Sequence, residues 1–193
     1  MKLIGIIFLS NLMVFGKSYS QNVDSLITEI NIKSEYFEKY KHFFEIDTIN
    51  LSNEVKNEPF DEVRKTNFIT IYKDSLNQIG LVEFIELSEH MTEGKTIKKY
   101  YLNNNMVYFI HIIRSFTEWG GYNSKNRITE IEEDKIYIKL NSCILYLNKS
   151  VSGDVSEIKS LFREKNYNTK DCKYSLIYML DYKSLTKIIN EAK

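Results

Sequence analysis

The 193 residues of this chain include seven glycines, two cysteines, one proline and one tryptophan. The glycines are mostly isolated, so no glycine-rich loop cradles a phosphate, and nucleotide chemistry of that kind is excluded. The two cysteines, Cys143 and Cys172, match neither a C-x-x-C redox motif nor a zinc spacing. No charge of one sign dominates, with 26 Lys and Arg against 26 Asp and Glu. A nucleic-acid partner, which would show as a basic excess, is therefore not expected. G-x-S-x-G and H-E-x-x-H are absent too, and nothing calls for a metal or a cofactor. Alanine occurs once, at Ala192, while Ile, Asn, Lys and Tyr are abundant. Their codons are rich in A and T, which points to a low-GC bacterial genome.

The N-terminus has the three parts of a secretory signal peptide. Lys2 supplies positive charge, Leu3 to Phe15 is apolar apart from Ser10 and Asn11, and a polar run follows to Gln21. Ser18 and Ser20 flank Tyr19 in the small-x-small spacing that signal peptidase accepts, so cleavage is placed between Ser20 and Gln21. The apolar core, about 13 residues, is short of the roughly 20 that a spanning helix needs. Residues 1–20 are thus expected to be a signal peptide, and 21–193 a single α+β domain, periplasmic or secreted, with no membrane span after cleavage. In an oxidising compartment Cys143 and Cys172 are naturally read as one disulfide. In the chain-entropy model the loop of about 30 residues that it closes stabilises by ~3–4 kcal/mol.

Asp24 to about Glu45 reads as an amphipathic helix, with Leu26, Ile30, Phe37, Tyr40 and Phe44 at helical intervals. Residues 47–66 are polar and read as a connection. Strand candidates follow at 68–73, 79–87, 96–102, 106–116, 127–133, 135–140 and 143–148, rich in Ile, Val, Tyr, Thr and Phe. Along Lys135 to Leu140 the alternation puts Ile136, Ile138 and Leu140 on one face and Tyr137 on a wet one. Asp154-x-x-Glu157 starts a helix running to about Lys165, residues 174–180 suit strand or helix, and Ser184 to Glu191 closes with a helix. The fold class expected is α+β: an N-terminal amphipathic helix and C-terminal helices packed on an antiparallel β-meander of about six strands.

Tyr100 to Phe109 aligns with Ile138 to Leu147 at an offset of 38, each a strand, an Asn or Ser turn and a return strand. Either the two are a true repeat, or any two hairpins look alike at this length. The run Lys98-Lys99-Tyr100-Tyr101-Leu102-Asn103-Asn104-Asn105, followed by Met106-Val107-Tyr108-Phe109, resembles a Tyr-rich hairpin signature of exported (periplasmic or secreted) proteins of Bacteroidetes. Asn105 stands where glycine is usual there. The resemblance implies a compartment and a fold texture, and brings no activity with it.

Among residues that suit chemistry, His90 lies in a turn with Glu86, Glu89 and Glu93, which is the makeup of a hydrolytic acid–base site or of a weak metal site, although no second group of ligands converges on it in the sequence. His42 suits a helix C-terminus, and His111 a satisfied core position. Glu130 and Glu132 share a strand face about 7 Å apart, as in a glycosidase pair, or as a solvated strand edge that discourages pairing. The surplus is aromatic. Trp119 and Tyr122 flank Gly120 and Gly121 in a loop, and with Tyr137 they are the candidate ligand-binding set, since Trp and Tyr offer large apolar area at low entropic cost. Two functions follow as expectations: an exported, non-catalytic domain binding a ligand or an envelope protein partner, or an exported hydrolase using His90 and nearby carboxylates.

Overall fold

The computed structural model describes residues 23–51, 64–73, 78–89, 92–118 and 127–191. Signal cleavage at Ser20 and Gln21 lies outside them. The chain divides after Tyr40 into two compact units.

In the first unit, residues 23–40 form a helix, α1. Lys33 and Glu29 pair across one turn at 2.6 Å, and the rings of Tyr36 and Tyr40 lie 4.5 Å apart, both i,i+4 relationships that reinforce a helix. The helix expected to reach Glu45 ends five residues earlier. Lys41–Phe43 tighten into a 3-10 turn, and from Glu45 the chain is extended. Ile46, Thr48 and Ile49 are β-branched and stiff at χ1, which favours a strand there.

Among the described residues the second unit is built on eight antiparallel strands joined in chain order: β1 (Glu45–Asn50), β2 (Arg64–Lys73), β3 (Ile79–Glu89), β4 (Thr92–Asn103), β5 (Met106–Glu118), β6 (Ile128–Lys139), β7 (Ser142–Asp154) and β8 (Asn168–Lys170). Between β7 and β8 lies α2 (Ile158–Glu164), and α3 (Leu176–Glu191) follows a 3-10 turn at Cys172–Ser175. The edges are the two shortest strands, which limits the unpaired backbone offered to another chain.

The α+β arrangement with about six strands is thereby corrected: the chain is β-rich, one eight-stranded sheet with short helices. Three readings account for the difference. β1 falls in a stretch that its polar residues made look like a connection, yet it pairs with β2 from Glu45↔Lys73 to Asn50↔Phe68. β6 was divided at Asp134, where an acidic residue beside Lys135 suggests a turn, but the strand runs unbroken through it. β8 is three residues long and is held by pairing with Tyr146 to Asn148, too short to leave an alternation pattern.

α3 covers one face of the sheet. Leu185 and Ile189 join Ile69, Ile71, Val82, Tyr100, Ile110 and Ile136 in the main core cluster. The Tyr182 ring packs tilted against that of Tyr100 at 5.1 Å, and Lys98 pairs with Asp181 of the helix at 2.6 Å. On the opposite face one cross-strand row runs Tyr72–Leu81–Tyr101–Phe109–Tyr137–Leu145. α2 begins four residues after Asp154, whose carboxylate accepts from the Ser156 amide at 2.9 Å. Asp154 thus caps the turn before the helix rather than the helix itself.

The two aligned hairpins are related, with a shift. Both turns place two residues at positive φ, Asn104 and Asn105 (50° and 60°) and Leu140 and Asn141 (50° and 61°). Positive φ at both central residues is the pattern whose twist suits a two-residue hairpin. The structural offset is therefore two residues less than the sequence alignment gives, so Asn104 corresponds to Leu140. Two residues are one strand period, so the slip leaves every side chain on the same face. Each hairpin also carries a register shift after an equivalent tyrosine, Tyr101 and Tyr137, and β2–β3 repeats it after Tyr72.

Candidate functional site

Two buried polar clusters cross the sheet, one on each face. Under α3, Asp134 is fully buried. Arg114 Nη1 donates to its Oδ2 at 2.7 Å, Tyr146 and Asn148 donate to its Oδ1 at 3.0 and 2.8 Å, and Nη2 of Arg114 reaches the Tyr178 hydroxyl at 2.6 Å. Burial works against the charge of Arg114, but the Asp134, Tyr178 and Glu132 partners outweigh it and hold its pKa above the ordinary value. Burial, with Asp134 beside it, likewise pushes the Tyr146 hydroxyl up.

On the other face Glu133 accepts from His111 Nε2 at 2.7 Å and Tyr167 Oη at 2.6 Å, with Lys149 Nζ at 3.1 Å. An ionised carboxylate only accepts, so the imidazole carries its proton on Nε2 in this pairing. Burial raises the pKa of Glu133, yet the three donors dominate and bring it down to about 2. A general base needs a lone pair open to its substrate. Here every carboxylate oxygen of Asp134 and Glu133 already accepts from the protein, so both clusters are read as structural: they fix register across β5, β6 and β7.

The third feature is apolar and lies at the end of the sheet where the two hairpin turns meet the start of α3. A pocket of about 470 Å³ opens there. Val107, Met179 and Tyr182, packed on or in the core, form its floor. Met106, Leu176 and Leu180 form its walls, and Asn105, Asn141 and Lys183 are its polar lining. Large apolar side chains stand in solvent around it: Leu140 is 84% exposed, Leu176 64% and Leu180 61%, with Ile177 and Tyr174 close to them in sequence. Scattered exposed apolar residues are ordinary, but a group of them at one concavity marks a contact surface. The disulfide Cys143–Cys172, Cα atoms 5.6 Å apart, ties β7 to the turn that launches α3 and so anchors this end.

The local sequence explains the exposure. Leu176 to Leu180 is a run of five large apolar residues in a helix, where each step turns 100°. They cover most of the circumference, and only Tyr178 and Met179 of the five pack toward the core. That run was the available signal for this site, and alternation-based reading of strands passed over it.

The aromatic binding set is not assembled as expected. Trp119 and Tyr122 lie outside the described residues, as does His90. Tyr137 is 2% exposed, a correction to its placement on a wet face. β6 is an interior strand covered on both faces, so its polar alternation reports buried pairing rather than solvent; Lys135, for example, lies over the Tyr167 ring at 4.8 Å. Leu140, assigned to the core side, is instead a turn residue. Glu130 and Glu132 do share a face, but not at an edge, and Glu132 is engaged by Arg114 at 2.9 Å and Asn148 at 2.9 Å. His111 is the satisfied interior histidine expected, with Glu133 as its partner. His42 falls in the 3-10 turn and is exposed. Among the described residues no group of three or more His, Cys, Asp or Glu is placed to hold a metal ion, and no helix is long and apolar enough to cross a membrane.

Compared with known proteins, the chain matches no family model, no curated protein and no solved structure.

Proposed function

We propose that this is an exported, non-catalytic binding domain whose contact surface is the apolar end formed by the β4–β5 and β6–β7 turns and α3. The observation that carries the reading is the pocket of about 470 Å³ ringed by exposed Met106, Leu176 and Leu180. Its size is that of small-ligand sites, roughly 300–1,000 Å³, and its lining is apolar with a few polar groups, as in such sites. Export is supported by the leader and by the disulfide, which persists in an oxidising compartment. The hydrolase alternative rests on His90, which lies outside the described residues, so no observation comparable to the pocket stands behind it.

The test has two parts. Intact-mass measurement on the protein recovered from the envelope or the medium should give a chain beginning near Gln21; recovery only from the cytoplasm with the leader attached would end the export reading. N-phenylnaphthylamine, a neutral apolar dye, should fluoresce on binding the protein and lose most of that signal in Leu180→Asp. A signal unchanged by that substitution would remove the apolar end as the binding surface.

A further inference from the structure

Resting on that reading, we infer that the pocket takes a single-chain amphiphile with an anionic head, such as a medium- or long-chain carboxylate. The argument is the order of residues along α3. Leu176, Leu180, Lys183 and Lys187 follow at intervals of four, three and four, so they lie on one stripe of the helix. The stripe is apolar over its first turns and basic beyond them. Leu176, Leu180 and Lys183 all line the pocket, and among the described residues Lys183 is the one charged member of its lining.

The acidic groups of the helix do not cancel that charge at the pocket. Asp181 faces the sheet, bound to Lys98 at 2.6 Å. Glu191 lies beyond the stripe, 3.8 Å from Lys187. The other polar lining, Asn105 and Asn141, supplies amide N–H donors that suit a carboxylate head. An extended chain laid over Met106, Leu176 and Leu180 would bury its methylenes against them and end with its head at Lys183. A neutral or cationic amphiphile fits the same apolar floor but gains nothing from, or is repelled by, the ammonium group.

The decisive measurement is displacement of N-phenylnaphthylamine from the protein expressed from the full chain, using dodecanoate, dodecanol and dodecyltrimethylammonium below their micelle concentrations. Dodecanoate should displace the dye at roughly three- to fivefold lower concentration than dodecanol, the range of an exposed ion pair. Dodecyltrimethylammonium should be the weakest of the three. Shortening the carboxylate from twelve to eight carbons should weaken it, by up to about fourfold per methylene lost. Lys183→Gln, an exposed change, should bring dodecanoate and dodecanol to the same midpoint.

Equal midpoints for dodecanoate and dodecanol on the unmodified protein would overturn the anionic assignment while leaving the apolar pocket in place. Absence of dye binding, or dye binding indifferent to Leu180→Asp, would instead remove the pocket reading itself. Flotation with phosphatidylglycerol vesicles without displacement by any free dodecyl compound would overturn the proposal in favour of a membrane surface. Light scattering that shows a dimer abolished by Leu180→Asp, again without displacement, would overturn it in favour of a second copy of the chain.

Discussion

His111 Nε2 lies 2.7 Å from Oε1 of Glu133, diagonally across the β5–β6 pair and 22 residues along the chain. Lys135, not Glu133, is the residue directly opposite His111. The pairing therefore depends on side chains leaning along the strands, and it gathers Tyr167 and Lys149 from two further segments onto one carboxylate.

Glu133 should give the protein an acid-sensitive stability. Burial opposes its ionisation, but its donors bring the folded-state pKa down to about 2 from an ordinary 4.5. The stabilisation is therefore complete above about pH 4.5 and is lost as pH falls toward 2, and it amounts to about 3 kcal/mol. Glu133→Gln should lower stability by about that much at pH 7 and flatten the pH dependence between 4.5 and 2. Urea titrations at a series of pH values read both effects; an unchanged acid limb in the variant would contradict the assignment.

Two buried tyrosines should respond in opposite senses to loss of their hydroxyl. The hydroxyl of Tyr100 is buried with no hydrogen-bond partner among the described residues, whereas that of Tyr146 donates to Asp134 at 3.0 Å. Tyr100→Phe removes an unsatisfied polar atom and should leave stability unchanged or raise it by up to about 1 kcal/mol. Tyr146→Phe leaves a buried carboxylate short of a donor and should cost about 1–3 kcal/mol. Thermal unfolding of the two variants side by side measures the difference, and a larger loss for Tyr100→Phe would be inconsistent with this geometry.

Breaking the Cys143–Cys172 bond should cost about 3–4 kcal/mol, because it frees a 29-residue separation in the unfolded chain. The loosening should concentrate at the start of α3. Hydrogen exchange on a Cys143→Ser, Cys172→Ser double variant should show lost amide protection around residues 172–180 before the central strands. Uniform loss across β4 to β6 would show that the bond does not act locally.

Leu140 holds φ at 50° in a turn with its side chain in solvent. A left-handed conformation costs a leucine about 1–2 kcal/mol, and asparagine tolerates it far better. Leu140→Asn should therefore raise the melting temperature by several degrees at a stabilisation of about 1 kcal/mol. The same variant should bind N-phenylnaphthylamine no better than the unmodified protein. A fall in melting temperature would mean that Leu140 makes a packing contribution its exposure does not reveal.

Much of the secondary structure was legible from residue pattern. β2 to β5 and β7 follow runs of Ile, Val, Tyr and Phe, because strand preference and burial there act on the same residues. The Asn turns follow from local chemistry, and the pairing of the two cysteines was legible as the one pair the chain can make. Charged strand residues were misread for one reason. Asp134 inside β6 looks like a turn until Arg114, Tyr146, Asn148 and Tyr178, 12 to 44 residues away, are brought onto it.

By itself, then, the sequence determined most of the strands, the turns and the cysteine pair, properties set largely by near neighbours or by single residues. Tertiary structure alone decided which faces are wet. It buried Tyr137 between Phe109 and Leu145 of the flanking strands, and it left Leu176 and Leu180 in solvent because α3 can turn only part of its circumference toward the sheet. The candidate site lies where five consecutive apolar residues meet a helix that buries fewer than five.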